Sequence, residues 1–290
     1  MSAEPFPLCD AHAHVISEDR EQYRPDPLSG ALKPGDLDDA MTAERLLREM
    51  DLKGVGHAVL VQRAHVYGFD SSYVCDMARR YPDRFAAVCA IDGRDPACGD
   101  RVRHWVTERG AVGVRMMEPF KGAEFTWFAG EAAEGIWQAA TELSVPVCVH
   151  FFRWNREAGI PVLLDLLGKY SKTDVVIDHF SNMASESGPP DHGIDGLMRR
   201  LADFPRVSTK FTTLPLGQLH EQDIDSAVVV RRVVDVFGAE RVMWGSDISQ
   251  SKGSYSFMVD LGWKASSLLR EQEQRWVLAR TAQQLYGGLR

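Results

Sequence analysis

Eight short β-branched runs recur along the 290 residues, each separated from the next by a longer stretch of helical spacing, and this alternation narrows the fold more than any other feature. The runs are Leu8–Val15, Ala58–Gln62, Phe85–Asp92, Val112–Met117, Val145–Phe152, Val175–Phe180, Val207–Thr212 and Val242–Asp247. Each is too short for a buried helix and lies beside Gly, Pro, Asp or Ser punctuation. The stretches between them are amphipathic. AERLLREMDLKG puts Leu46, Leu47 and Met50 on one face and ends on Gly54, which suits a left-handed cap. SSYVCDMARRYPDRF offers Asp70 or Ser71 as an N-cap and Pro82 as a stop, and Glu131–Leu143, Pro161–Tyr170, Ile194–Phe204 and Ser226–Phe237 also read as helices. Eight βα units without a second composition regime predict one domain over residues 1–290. It is an α/β fold, a single distorted (β/α)8 barrel of the TIM type with long βα loops over its C-terminal face. An open doubly wound sheet is the alternative, but no GxGxxG follows the first run.

Composition excludes several partners. Lys and Arg number 33 against 41 Asp and Glu, a formal charge of −8, which argues against a nucleic-acid binder. No apolar run approaches the ~18 residues of a membrane span, so no membrane association is expected. The opening MSAEPFPLCDAHAH has neither a basic nor an apolar leader region, so no signal peptide is expected. Cys9, Cys75, Cys89, Cys98 and Cys148 are odd in number and lack CxxC spacing, which fits buried free thiols in a reducing, cytoplasmic setting. No heptad or apolar stripe fixes an oligomeric count, although barrels of this kind often form homo-oligomers.

Three connections are long: Ile16–Met41, Ser181–Asp195 and Ile248–Phe257. All follow predicted strand ends, where a parallel barrel carries its active site, so each is either a lid or a plain surface insertion.

The chemistry concentrates at the same ends. In Asp10-Ala11-His12-Ala13-His14 the two histidines share a strand face and would point together into the barrel. Two buried imidazoles need a metal ion, or hydrogen bonds to backbone or carboxylates. His150 ends PVCVH, His179 ends VVIDH and Asp247 ends VMWGSD, all polar residues closing apolar runs. In a barrel these ends converge on one mouth.

With these residues placed, the chain resembles the amidohydrolase superfamily: HxH after strand one, His after strands five and six, Asp after strand eight. YPDRF (Tyr81–Phe85) and GAERVMWGSD (Gly238–Asp247) are similar to its amidohydrolase-related branch. Within that branch LVQRAHVYGFDSSYV (Leu60–Val74), VIDHF (Val176–Phe180) and VSTKFTTLP (Val207–Pro215) look most like the sugar-lactone and 2-pyrone-4,6-dicarboxylate lactonase group.

The resemblance implies a hydrolase opening a small, carboxylated lactone by attack of water on the ester carbonyl, with Asp247 as general base. His12, His14, His150 and Asp247 would hold one divalent metal ion, or the histidines would position the substrate carbonyl where no ion binds, and His179 would touch ion or substrate. Imidazole and carboxylate donors suit zinc. Strand four offers Arg115 where a bridging lysine is expected and strand seven offers Lys210, so two metal ions are disfavoured. Ile248-Ser249 replace the aromatic-proline pair usual after the last Asp, which leaves the base but changes the pocket. Arg63, Arg115 and Arg153, with Tyr67, lie at or just past strand ends and would bind a carboxylic acid or an acidic lactone. The alternative reading is a metal-dependent non-oxidative decarboxylase of an aromatic or unsaturated acid. A catalytically idle binding barrel is the third, and keeping all five centre residues argues against it.

Overall fold

The computed structural model describes residues 6–118 and 124–287. One parallel sheet holds eight strands in sequence order: β1 (Leu8–Ala13), β2 (Val55–Val61), β3 (Phe85–Ala90), β4 (Gly113–Met117), β5 (Val147–His150), β6 (Val175–Ile177), β7 (Val207–Thr212) and β8 (Val242–Gly245). All eight predicted runs are strands, mostly shortened at their C-terminal ends where the polar residues turn out of the ladder. Parallel neighbours need crossovers, and helices supply them. The sheet comes round until the end of β8 meets β1. There the Asp247 N–H donates to the His12 carbonyl at 2.7 Å and the Ser246 N–H to the Asp10 carboxylate at 2.8 Å. The result is a nearly closed (β/α)8 barrel of the TIM type.

Local signals account for most helices. Ala43–Lys53 starts under Thr42, whose hydroxyl accepts from Arg45 N–H, and stops at Gly54 with φ +69°. Ser226–Phe237 has the predicted bounds, and the Asp225 carboxylate caps it. Arg156–Lys169 differs: it begins a turn before the predicted start and carries Pro161 inside. That proline sits in the second turn and removes only one helical N–H. A helix not foreseen, Thr213–Glu221, follows β7 directly.

An apolar cluster fills the barrel interior, including Cys9 and Ala11 of β1 and Val59 and Val61 of β2, and reaches Tyr286 of the last helix, Thr281–Tyr286. Strict alternation from Cys9 and Ala11 would carry Ala13 and Val15 inward and leave the histidines outside. Instead four residues of β1, from Asp10 opposite Ala58 to Ala13 opposite Leu60, face three of β2. This bulge packs Ala13 and Val15 in the outer layer and swings His12 and His14 to the interior. All five cysteines are free and buried. No helix among the described residues is long and apolar enough to cross a membrane.

Candidate active site

Four imidazoles form a row across the barrel mouth. Ring centroids are 4.9 Å apart for His14 and His12, 4.8 Å for His12 and His179, and 5.0 Å for His179 and His150. Asp247 lies beside the first two, its Oδ1 3.3 Å from His14 Nε2 and 3.7 Å from His12 Nε2. Residues spread over more than 230 positions of chain thus meet at the expected strand ends.

Tautomers follow from the partners. His14 Nδ1 faces the Val61 carbonyl at 2.7 Å, so it carries the hydrogen and Nε2 is left with a lone pair. That lone pair points at a carboxylate oxygen, an arrangement that needs a proton or a cation between them. Asp247 Oδ1 and His12 Nε2 are both buried without a hydrogen-bond partner. The other oxygen of Asp247 accepts from Ser251 Oγ at 2.7 Å. The backbone at Asp247 is left-handed, φ +57°, a conformation Asp tolerates better than most residues, and it aims the carboxylate back over β1.

His150 is different. Arg115 Nη2 lies 3.1 Å from its Nδ1, and a guanidinium only donates, so Nδ1 accepts and Nε2 bears the hydrogen. That Nε2 is buried and unpartnered, a donor waiting for an acceptor. His179 Nδ1 meets the Thr212 hydroxyl at 2.5 Å.

Asp178, which the strand pattern did not single out, is the second carboxylate of the centre. Arg115 Nε donates to its Oδ2 at 2.8 Å, and its Oδ1 lies 3.4 Å from Lys210 Nζ and 3.5 Å from His12 Nδ1. Lys210 is fully buried and its Nζ stands 5.4 Å over the Tyr286 ring. Asp178 and His179 are adjacent, and a strand would send them to opposite faces. β6 stops at Ile177, however, and His179, Phe180 and Ser181 all take left-handed φ of 51° to 56°, so both side chains reach the centre.

Electrostatics sort these groups. Burial pushes Asp178 up, yet Lys210, His12 and Arg115 together hold it well below the ordinary carboxylate range. Burial likewise pushes Asp247 up, and the neighbouring imidazoles of His14, His179 and His12 bring it below that range. His12 is kept neutral by burial despite Asp178, and His150 by burial with Arg115 and His179 adding to it. Ligand-type atoms cluster within 4.8 Å in two groups, His12–His14–Asp247 and His12–Asp178–His179. The first fits a divalent ion better, because Asp178 already has two fixed cations while the orphaned Asp247 Oδ1 has none.

The expected substrate contacts diverge. Arg115 is engaged by Asp178 and His150. Arg153 is half-exposed and pairs with Glu186 through two contacts of 2.5 and 2.9 Å. The Tyr67 hydroxyl accepts from the Ser17 N–H at 2.8 Å. Arg63 is buried, and its nearest carboxylate, Asp36, is 3.7 Å away.

The chain's relatives can now be set beside this geometry. The family model described as Amidohydrolase matches residues 9–288. Comparison with curated proteins finds no match. Among solved structures, a candidate 2-pyrone-4,6-dicarboxylic acid hydrolase from Pseudomonas putida aligns at TM-score 0.76 with 23% identity, over 98% of each chain. A second such candidate, from Acinetobacter baumannii with citric acid bound, aligns at TM-score 0.75 with 19% identity, over 97% of this chain and all of that one. A 5-carboxyvanillate decarboxylase from Novosphingobium aromaticivorans, with bound manganese, aligns at TM-score 0.67 with 12% identity, over 97% of both.

Proposed function

The chain belongs to the amidohydrolase family, and from that premise we propose that it opens a small carboxylated lactone by hydrolysis. The observation that carries this reading is the buried, ionised, unpartnered Asp247 Oδ1 set among imidazoles at the barrel mouth. The similarity to two candidate pyrone-dicarboxylic acid hydrolases supports the substrate class.

Asp247 Oδ1 takes a proton from water as the water oxygen bonds to the lactone carbonyl carbon. The His150 Nε2–H donates to the carbonyl oxygen as it gains charge, so we assign His150 as a donor and not as an ion ligand. The ring C–O bond then breaks, and Asp247 returns its proton to the leaving ring oxygen. His14 is fixed by Val61 and His12 by its place between two carboxylates, so neither reorganises during the reaction. His179, held by Thr212, lies between His12 and His150 and orients the substrate carbonyl. His12, His14 and Asp247 would hold one divalent ion, with zinc matching the donor set; when bound it supplies Lewis acidity for the carbonyl and eases ionisation of water.

Ring opening creates a carboxylic acid and releases a proton near neutral pH. The test is acid release, followed with a pH indicator, on sugar lactones and on carboxylated pyrone and muconolactone analogues. Acid release by the wild type and its loss in Asp247→Asn support the reading. Silence on every member rejects it, and decarboxylation of aromatic acids, the activity named for the manganese-bound neighbour, becomes the next assay.

A further inference from the structure

The arginines that follow the strand ends differ in one respect: how much of each guanidinium is already spoken for. Arg115 has a carboxylate on Nε, an imidazole on Nη2 and the Met117 sulfur 3.8 Å from Nη1. Arg156 is held by the Ser181 carbonyl and Asp195, and Arg153 by Glu186. Arg63 is 94% buried, yet its Nε and Nη1 have no hydrogen-bond partner. A buried guanidinium with open donors is costly unless an acceptor arrives, so the position reads as a receptor.

Its placement agrees. Arg63 follows β2 by two residues, and β2 ends at Val61, whose carbonyl holds His14. Burial works against its charge, and Asp36 and Asp247 work for it. Its neighbour His65 is kept neutral down to about 4 by burial, with Arg115, His14 and Arg63 adding to it, so the fixed charge here belongs to Arg63.

The one carboxylate near it is held back. Asp36 belongs to the long β1 loop, and its Oδ2 accepts from Lys33 N–H at 2.7 Å within a local turn. Its Oδ1 stops 3.7 Å from Arg63 Nη2, outside hydrogen-bonding range. The contact has the charge of an Arg–carboxylate pair without the paired geometry that makes such pairs strong.

We propose that Arg63 is the receptor for a substrate carboxylate and that Asp36 is its internal stand-in, displaced when the substrate binds. This rests on the hydrolase reading for what the substrate is, but not for whether a carboxylate binds at Arg63. It makes Arg63 the residue that selects carboxylated over neutral substrates, and it couples substrate entry to movement of the β1 loop around Asp36.

The experiment is a double-mutant cycle read by calorimetry, with malonate as probe, on wild type, Arg63→Met, Asp36→Asn and the double variant. Any contact of malonate with a bound ion is common to all four proteins and cancels in the cycle. Arg63→Met is expected to weaken malonate binding about tenfold or more. Asp36→Asn is expected to tighten it roughly fivefold, and to have no effect once Arg63 is gone. Wild-type affinity in Arg63→Met, an Asp36→Asn gain that persists without Arg63, or no binding by the wild type would each overturn the proposal. Should Arg63→Met fail to fold, Asp36→Asn alone decides: unchanged affinity rejects the stand-in. Malonate is not turned over, so a silent lactone panel with an intact cycle rejects only the hydrolase reading.

Discussion

The two sides of the mouth hold similar residues and treat them oppositely. On the β4–β6–β7 side, Arg115, Asp178 and Lys210 form a buried cluster in which the carboxylate has a fixed cation near each oxygen, although its Oδ1 makes no hydrogen bond. On the β1–β8 side, His12, His14 and Asp247 are as deeply buried, but the carboxylate oxygen between them has no donor and the His14 lone pair faces it. A completed ion network rigidifies a fold, whereas an incomplete one held in place by its neighbours waits for something to bind. The presence of a fixed cation at each carboxylate oxygen, more than residue type, separates the two sides of this mouth.

Substitutions can break that contrast. Asp247→Asn should lower turnover by roughly 10²–10⁴-fold, since proton transfer is lost, while leaving the urea midpoint close to wild type. A large loss of stability there would place Asp247 in the scaffold. Asp178→Asn should do the reverse first: leaving Arg115 and Lys210 buried against a neutral partner is expected to cost about 3–5 kcal/mol, read by urea unfolding. Next in size, His14→Ala should abolish tight binding of a divalent ion, measured as metal per chain after dialysis, whereas His150→Ala should retain it. Equal loss in both would return His150 to the ligand set.

Acid should reveal the neutral histidines. The folded state holds His65 at about 4, below its ordinary 6.5, by burial, and His12, His150 and His179 are lowered in the same direction, burial first. Between those values the unfolded chain binds more protons, so stability falls as pH drops from 6.5 towards 4 and is full above 6.5. Thermal melts of chelator-treated protein check this; a transition temperature flat across that window refutes it. The smallest effect belongs to the rim: Arg153→Met breaks a half-exposed pair and should change stability by no more than about 1 kcal/mol.

Much of this was legible in the residues. Strand periodicity located every strand, and polar residues closing apolar runs located His12, His14, His150, His179 and Asp247, because convergence of strand ends is a property of the barrel. Asp178 was hidden because alternation pointed it away from His179, and only the left-handed turn that begins at His179 brings both inward. The state of each arginine was hidden as well, since partners such as Asp36, Glu186 and Asp178 come from distant loops and strands.

The β1–β8 seam has a consequence for how the enzyme comes into being. Gly245 lies so near His12 that a side-chain carbon on it would fall 2.6 Å from His12 Cβ, and Asp10 grips Ser246 across 236 residues of sequence. The first strand leaves the ribosome carrying two histidines whose shared carboxylate partner, Asp247, arrives only with the last strand. Such long-range pairing is slow to form. Nascent chains and truncated forms lacking β8 would therefore carry imidazoles but no reactive centre, and the appearance of activity during refolding would time the closing of the barrel itself.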